Sequence, residues 1–326
     1  MGIRHLNRFL RTNCAEYVRC INLADLSGKK IAVDVSIYMY KYETDDLLIE
    51  NIYLMISIFL HYNITPIFIF DGRPPDEKKE LLKKRREDKM DAEKEYNKLK
   101  TRVEDSSTRL DEEQKQELVN NMDQLKKQFV YINKDKIRRV KELIASCGVT
   151  YYDAPGEADE LCALLVIKKK VWACMSEDMD LFVYGCTRVL RYFSLVNHTA
   201  VLYYMKGILS EINMNQDEFR EICVISGTDY NINANGCENK ITIDGFIKLF
   251  RKYKNSGQTC GFYAWLINVE EHDNDTDLLN KINEMFDLSS NNRNLKNFEK
   301  IRIVNCQGDR EAMKAILEED GFIFLE

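Results

Sequence analysis

Seven acidic residues stand where apolar, strand-like runs end or helices begin. KIAVD ends at Asp34, and PIFIF is followed by Asp71. DAPGEADE carries Glu157 and Asp159, WACMSEDMD carries Asp178 and Asp180, and CVISGTDY carries Asp229. A lone Asp in such a place is commonly a turn or cap residue. The doublets at 157/159 and 178/180 say more, because two side chains at the edge of a helix or turn can reach one cavity. In an open parallel sheet, ligands gather beyond the carboxyl ends of the strands. If these runs are neighbouring strands, the carboxylates converge. Like charges that share a site need a compensating cation. Hard divalent ions with oxygen ligands provide one, and Mg²⁺ combines carboxylates with substrate phosphate. Two such ions can hold an attacking water and the leaving oxygen of a phosphodiester in line. That chemistry needs no histidine, and His5, His61, His198 and His272 lie in none of the acidic segments.

Alternating elements position these groups. Residues 29–35 read as a buried, β-branched strand, residues 46–62 as an apolar helix, and residues 66–70 as a second strand. From 76 to about 147 Lys, Glu, Asp, Arg and Gln dominate, with no proline or glycine. This mixed-sign, helix-favouring stretch predicts a pair of helices projecting from the body, with a break at 106–109. Strands follow at 149–154 and 171–175, with a helix at 156–167 between them. Residues 188–193 and 200–205 read as a strand pair. From 206 onward the pattern is helical. The expected fold class is α/β with a central, mostly parallel twisted sheet, a protruding helical arch and an α-helical C-terminal part. The division is 1–75, 76–147, 148–230 and 231–326.

The totals restrict the alternatives. The chain has 326 residues, 45% hydrophobic and 31% charged, which describes an ordinary globular protein with a sizeable core. A formal net charge of −6 argues against binding nucleic acid through bulk positive charge. The ten cysteines form no CxxC and no zinc spacing, and read as reduced, structural thiols. No apolar stretch reaches about 18 residues, so no membrane span is expected. MGIRHL does not read as a secretory signal. An intracellular, non-secreted protein is expected, acting in the nucleus or at a viral or cytoplasmic replication site.

The start MGI, then KIAVDVSIYMY, FIFDGRPP, DAPGEADE, SEDMDLFVYG and CVISGTDY, in that order and spacing, resemble the flap endonucleases of the XPG superfamily of structure-specific 5′ nucleases. The resemblance covers roughly residues 1–230. It implies a PIN-like nuclease core in which Asp34, Asp71, Glu157, Asp159, Asp178, Asp180 and Asp229 hold two Mg²⁺ ions, with Mn²⁺ as a substitute. The family usually has Glu where Asp159 stands. Lys78 and Arg85 match basic residues aimed at the scissile phosphate. Seven apart on an expected helix, they share a face; the alternative is a solvated charged face. Tyr40 matches an aromatic that stacks on a base, with a core tyrosine as the alternative. Gly2 matches a terminus that packs near the active site. The resemblance also implies that the helices from 76 to about 147 form the arch through which a 5′ single strand threads.

Past Asp229 the pattern changes. Only Gly236 and Lys240 match the family's glycine-rich segment that grips duplex DNA, which leaves its potassium site in doubt. The helix that follows is apolar at Phe246, Leu249 and Phe250 and basic at Lys248, Arg251, Lys252 and Lys254. No sliding-clamp peptide is seen, and the expected state is a monomer. The implied partner is DNA with 5′ flaps, nicks or ends. The resemblance implies a Mg-dependent flap endonuclease with 5′ exonuclease activity, serving replication, repair or recombination. Two alternatives stand beside it: a 5′→3′ exonuclease or RNase of the same superfamily, and a catalytically silent DNA-binding scaffold.

Overall fold

The apolar runs form the centre of a seven-stranded sheet. The computed structural model describes residues 3, 5–104, 118, 121–231, 241–270, 275–288 and 301–324. The strands are β1 (Val18–Asn22), β2 (Lys30–Asp34), β3 (Thr65–Phe70), β4 (Thr150–Asp153), β5 (Ala173–Met175), β6 (Arg188–Ser194) and β7 (Thr199–Tyr204). Their order is β1-β7-β6-β5-β2-β3-β4. β2 pairs in parallel with β3 on one side and β5 on the other, and β3–β4 and β5–β6 are also parallel. β7 runs antiparallel to both β6 and β1. The chain builds outward from β2 through β3 to β4, then returns to place β5 on the other side of β2. The switch point between β2 and β5 is where an α/β sheet opens a crevice at its carboxyl edge.

Side chains of the central strands alternate between two apolar layers, as the pleat requires. Ala32, Ile67, Ile69 and Cys174 face one core, and Ile31, Val33, Phe68, Phe70 and Met175 face the other. Both faces are covered, which is why these strands read as unbroken apolar runs. The helices are α1 (Leu6–Asn13), α2 (Val35–Glu43), α3 (Leu48–His61), α4 (Lys79–Glu104), α5 (Lys134–Ser146), α6 (Ala158–Ile167), α7 (Asp180–Val183), α8 (Met205–Ile212), α9 (Gln216–Ser226), α10 (Ile243–Asn255), α11 (Phe262–Glu270), α12 (Thr276–Met285) and α13 (Arg310–Glu319). Residues 121–126 are also helical. Residues of α1, α6 and α8 to α12 fill the first layer, and those of α2, α3, α5 and α13 the second. No helix among the described residues is long and apolar enough to cross a membrane.

Four features differ from the sequence reading. The helix expected at 46–62 is α3, and a separate helix, α2, starts directly after Asp34. β1 is a short edge strand whose mixed sequence carries no alternation signal. α5, grouped by its charge with the arch, packs against α3, β4 and α13, with Val140, Leu143 and Ile144 fully buried. Those three lie on one stripe of the helix while charged residues fill the other face. Finally, the helices after 206 pack into the two core layers of the sheet, α8 to α12 in the first and α13 in the second, so they are part of the body. The expected break at 106–109 lies outside the described residues.

α4 is a long charged helix. The segment before α5 returns along it, with Phe129 edge-on to Tyr96 at 5.3 Å and the Lys89 ammonium on Val130 O at 2.9 Å.

Candidate metal centre

Each carboxylate is delivered by a specific local structure. Asp34 ends β2, and its Oδ2 accepts the Ser176 hydroxyl at 2.8 Å from the end of β5. Asp71 follows β3, and its Oδ1 accepts the Ala158 amide at 2.9 Å, so it caps the first turn of α6 from another strand. The next residue brings the two loops into contact. The Gly72 amide donates to Gly156 O at 2.7 Å, and a Cβ on Gly72 would lie 2.0 Å from Ala154 O. Glu157 is the N-cap position of α6 and Asp159 lies in its first turn. Asp178 lies on the loop that follows β5, and Asp180 opens α7. The Asp178 amide donates to Ser176 Oγ at 3.1 Å, and the Asp180 amide to Asp178 Oδ1 at 3.0 Å. Asp229 follows α9 in a turn opened by Gly227 at φ 112° and closed by Asn231, whose Oδ1 accepts the Thr228 amide at 2.6 Å.

Carboxylate oxygens of Asp159, Asp178 and Asp180 lie within 4.8 Å of one another. Glu157, Asp229 and Asp34 interact electrostatically with this trio, and Asp71 with Asp34. Burial pushes the Asp159 carboxyl well above the usual range, with Glu157, Asp178 and Asp180 adding to it against the opposing Lys78. Burial does the same to Asp180, reinforced by Asp178, Asp229 and Glu157. Asp34 is raised by burial, then by Asp71 and Asp178, against the bond from Ser176. Asp180 Oδ1 is buried without a hydrogen-bond partner. A buried oxygen without a partner amid like charges is costly unless a cation reaches it. The donor set is all oxygen, which suits Mg²⁺ or Mn²⁺.

Two cations already contact the group. The Lys78 ammonium, buried, donates to Glu157 Oε1 at 2.8 Å and sits 4.9 Å from the centre of the Tyr230 ring. Burial opposes its charge, but Tyr230, Asp159, Glu157 and Asp180 outweigh that and hold it protonated. Arg85 donates to Asp229 Oδ2 at 2.8 Å. Lys78 lies in a 3₁₀ turn, Asp76–Lys78, ahead of α4 and not on the helix itself. Even so, both side chains reach the acidic cluster. Tyr40 is no core residue: it is 44% exposed, with the Lys89 ammonium 4.7 Å from its ring centre. Gly2, Gly236 and Lys240 lie outside the described residues, as does the segment of the doubtful potassium site.

Sequence reasoning passed over two residues of this site. Ser176 sits inside the SED string and holds Asp34. Tyr230, next to Asp229, donates its hydroxyl to Glu157 Oε2 at 3.1 Å. Both lay inside motifs already singled out for their acids. A cavity of about 340 Å³ opens beside Glu157, lined among others by Arg73, Pro155, Tyr184, Tyr230 and Met285.

Two family models match the chain. Residues 1–92 match the XPG N-terminal domain and residues 148–229 the XPG I-region. The chain belongs to the XPG superfamily of nucleases. It is 30% identical over 273 residues to flap endonuclease 1 of Encephalitozoon cuniculi, covering 78% of this chain and 74% of that one. It is 28% identical over 263 residues to flap endonuclease 1 of Nematostella vectensis, covering 75% and 66%. The chain thus spans about two thirds to three quarters of the relatives it matches. The fold resembles the solved catalytic core of Rad2 in complex with DNA substrate, with a TM-score of 0.65, 21% identity, and 98% and 95% of the two chains covered.

Proposed function

We propose that this XPG-superfamily chain is a divalent-metal-dependent, structure-specific 5′ nuclease that hydrolyses phosphodiester bonds of branched DNA, releasing 5′ flaps. The observation that carries this reading is the close grouping of Asp159, Asp178 and Asp180, with Lys78 on Glu157 and Arg85 on Asp229 beside it. Asp159, Asp178 and Asp180, flanked by Glu157 and Asp229 and extended by Asp34 and Asp71, would hold two Mg²⁺ ions. Ions held there would supply a water activated at neutral pH and charge neutralisation for the leaving oxygen.

The chain's own groups supply the remainder. Lys78 presents a point charge and Arg85 a planar fork, both suited to the phosphate as its charge builds. Burial fixes the Lys78 ammonium against Tyr230, so little reorganisation is needed when phosphate arrives. Tyr40 offers an exposed face for a base at the cleavage point. On α10, Phe246, Ile247 and Phe250 are buried while Lys248, Arg251, Lys252 and Lys254 face solvent. That basic face suits the phosphates of a downstream duplex.

The deciding experiment incubates the protein and Mg²⁺ with 5′-labelled flap DNA, nicked duplex and single-stranded RNA. Cleavage near the flap junction, abolished by Asp180→Ala, supports the proposal. Cutting confined to RNA or to blunt 5′ ends replaces it with the exonuclease or RNase reading. Binding of flap DNA without any cleavage replaces it with a scaffold.

A further inference from the structure

The two residues that alternate with the ligands Asp178 and Asp180 are both held by one buried arginine on the neighbouring strand. Arg191, on β6, donates from Nη2 to Glu177 O at 2.9 Å, and its Nη1 lies 2.7 Å from Met179 Sδ. Its Nε stands 3.6 Å from Glu177 Oε2, and this buried nitrogen makes no hydrogen bond. Nη1 also donates to Asn7 Oδ1 at 2.8 Å, which ties the loop to α1. The rings of Tyr192 and Tyr203 flank the guanidinium, with centres at 5.0 and 5.7 Å.

Backbone strain gathers at the same point. Tyr192 has φ 54°, a left-handed conformation that is costly for an aromatic residue. It lies at the register shift between Arg191 and Ser194. The Glu177 carboxylate holds it there, accepting the Tyr192 amide at 2.6 Å. Glu177 therefore bridges the strained strand and the ligand loop, while Arg191 grips the loop on both sides of Asp178. A hydrophobic side chain at 191 would fill this layer without a buried charge. Strain of this kind concentrates where geometry must be over-determined.

We infer that Arg191, braced by Glu177, is a positioning residue that fixes the spacing of Asp178 and Asp180 and so sets divalent-cation affinity, touching neither ion nor substrate. This rests on the metal-centre reading above. Groups that orient ligands in this way typically change metal affinity 10–100-fold when removed.

The test uses the full chain and the variants Arg191→Met, Arg191→Lys and Glu177→Gln, with Asp180→Asn as a control. Mn²⁺ binding without DNA is measured by calorimetry, and the Mg²⁺ concentration giving half-maximal flap cleavage is measured separately. Arg191→Met is expected to weaken Mn²⁺ binding about 10-fold or more. The Mg²⁺ requirement should rise in step, and the maximal rate should recover at high Mg²⁺. Arg191→Lys should fall between it and the parent. A lower melting temperature with unchanged Mn²⁺ affinity overturns the inference and leaves the metal centre standing. If Arg191→Met does not fold, unchanged affinity in both Arg191→Lys and Glu177→Gln overturns it. Failure of the parent chain to bind Mn²⁺ overturns the metal-centre reading itself, and this inference with it.

Discussion

The Lys78 ammonium donates to Glu157 Oε1 at 2.8 Å, and both side chains are largely shielded from solvent. Tyr230 takes the other oxygen of the same carboxylate. A buried ammonium between a carboxylate and an aromatic face cannot lose its charge easily, so it is a permanent electrostatic element of the site. Lys78→Met is expected to lower the single-turnover cleavage rate by about 10²–10³, the range seen when one preorganised donor is lost. Flap binding in Ca²⁺ should change far less. Tyr230→Phe keeps the ring and the Lys78 ammonium and removes only one charge-assisted hydrogen bond to Glu157, so its loss of rate should be clearly smaller than that of Lys78→Met. Equal losses from the two variants would refute the division of roles.

Arg85 makes a different kind of contact. Its side chain is 39% exposed while Asp229 is 12% exposed. A pair so open to water contributes at most about 1 kcal/mol to stability. Arg85→Ala should therefore leave the melting temperature nearly unchanged while slowing cleavage by an amount comparable to Lys78→Met. A large drop in melting temperature with little kinetic effect would assign Arg85 to structure alone.

Much of this was legible in the chain because sheet geometry converts local pattern into position. An Asp that ends an apolar run in a parallel sheet stands at the carboxyl edge, so Asp34 and Asp71 could be placed from their neighbours alone. Asp178 and Asp180 were placed by the short run before them. Contacts with no local signature were not legible. Arg191 in RVLRYF reads as one polar residue in a strand, and its partners Glu177 and Asn7 are 14 and 184 residues away. The burial of Lys78 was hidden for the same reason, since its neighbours in sequence are exposed and charged. α5 was assigned to the arch because charge outweighed its narrow apolar stripe. The 3₁₀ turn before α4 follows Pro74 and Pro75, which favour extended backbone and a turn over an immediate α-helix.

Gly72 tests how closely the two ligand loops must approach. Its missing Cβ leaves room for Ala154 O, which would otherwise lie 2.0 Å away, and backbone on both sides leaves little freedom to yield. Gly72→Ala should separate Asp71 from the Ala158 amide that it caps. Loss of that cap costs about 1 kcal/mol, and displacement of Asp71 should raise the Mg²⁺ requirement. Parental stability and parental Mg²⁺ dependence in Gly72→Ala would show that the loops tolerate separation.

Under the proposed function, Tyr40 and Lys89 would meet the incoming substrate strand. The Lys89 ammonium lies 4.7 Å from the centre of the Tyr40 ring and 5.6 Å from that of Tyr131. An exposed cation–π contact is worth about 0.5–1 kcal/mol, and a stacked base about 1–3 kcal/mol. A base can therefore displace the ammonium from Tyr40. Tyr40→Ala should weaken flap binding by about 1–3 kcal/mol, and Tyr40→Phe should bind like the parent. Equal weakening by both would show that the hydroxyl, not the ring face, matters.

Asp180 carries the clearest stability consequence. Burial, then Asp178, raises its carboxyl well above the usual range. A carboxyl whose folded-state pKa exceeds its unfolded value favours folding in the protonated form. That contribution is present at low pH and is lost as pH rises through the folded pKa. At neutral pH without divalent ions the burial of this carboxyl therefore opposes folding. Asp180→Asn is permanently neutral and close in shape, so it should raise stability in EDTA at pH 7.5 by about 1–3 kcal/mol, with a smaller gain at acidic pH. The same variant should lose both cleavage and the rise in melting temperature that Mg²⁺ gives the parent. If Asp180→Asn is clearly less stable than the parent in EDTA at pH 7.5, Asp180 is a structural hydrogen-bond acceptor and not a member of a cation-binding cluster.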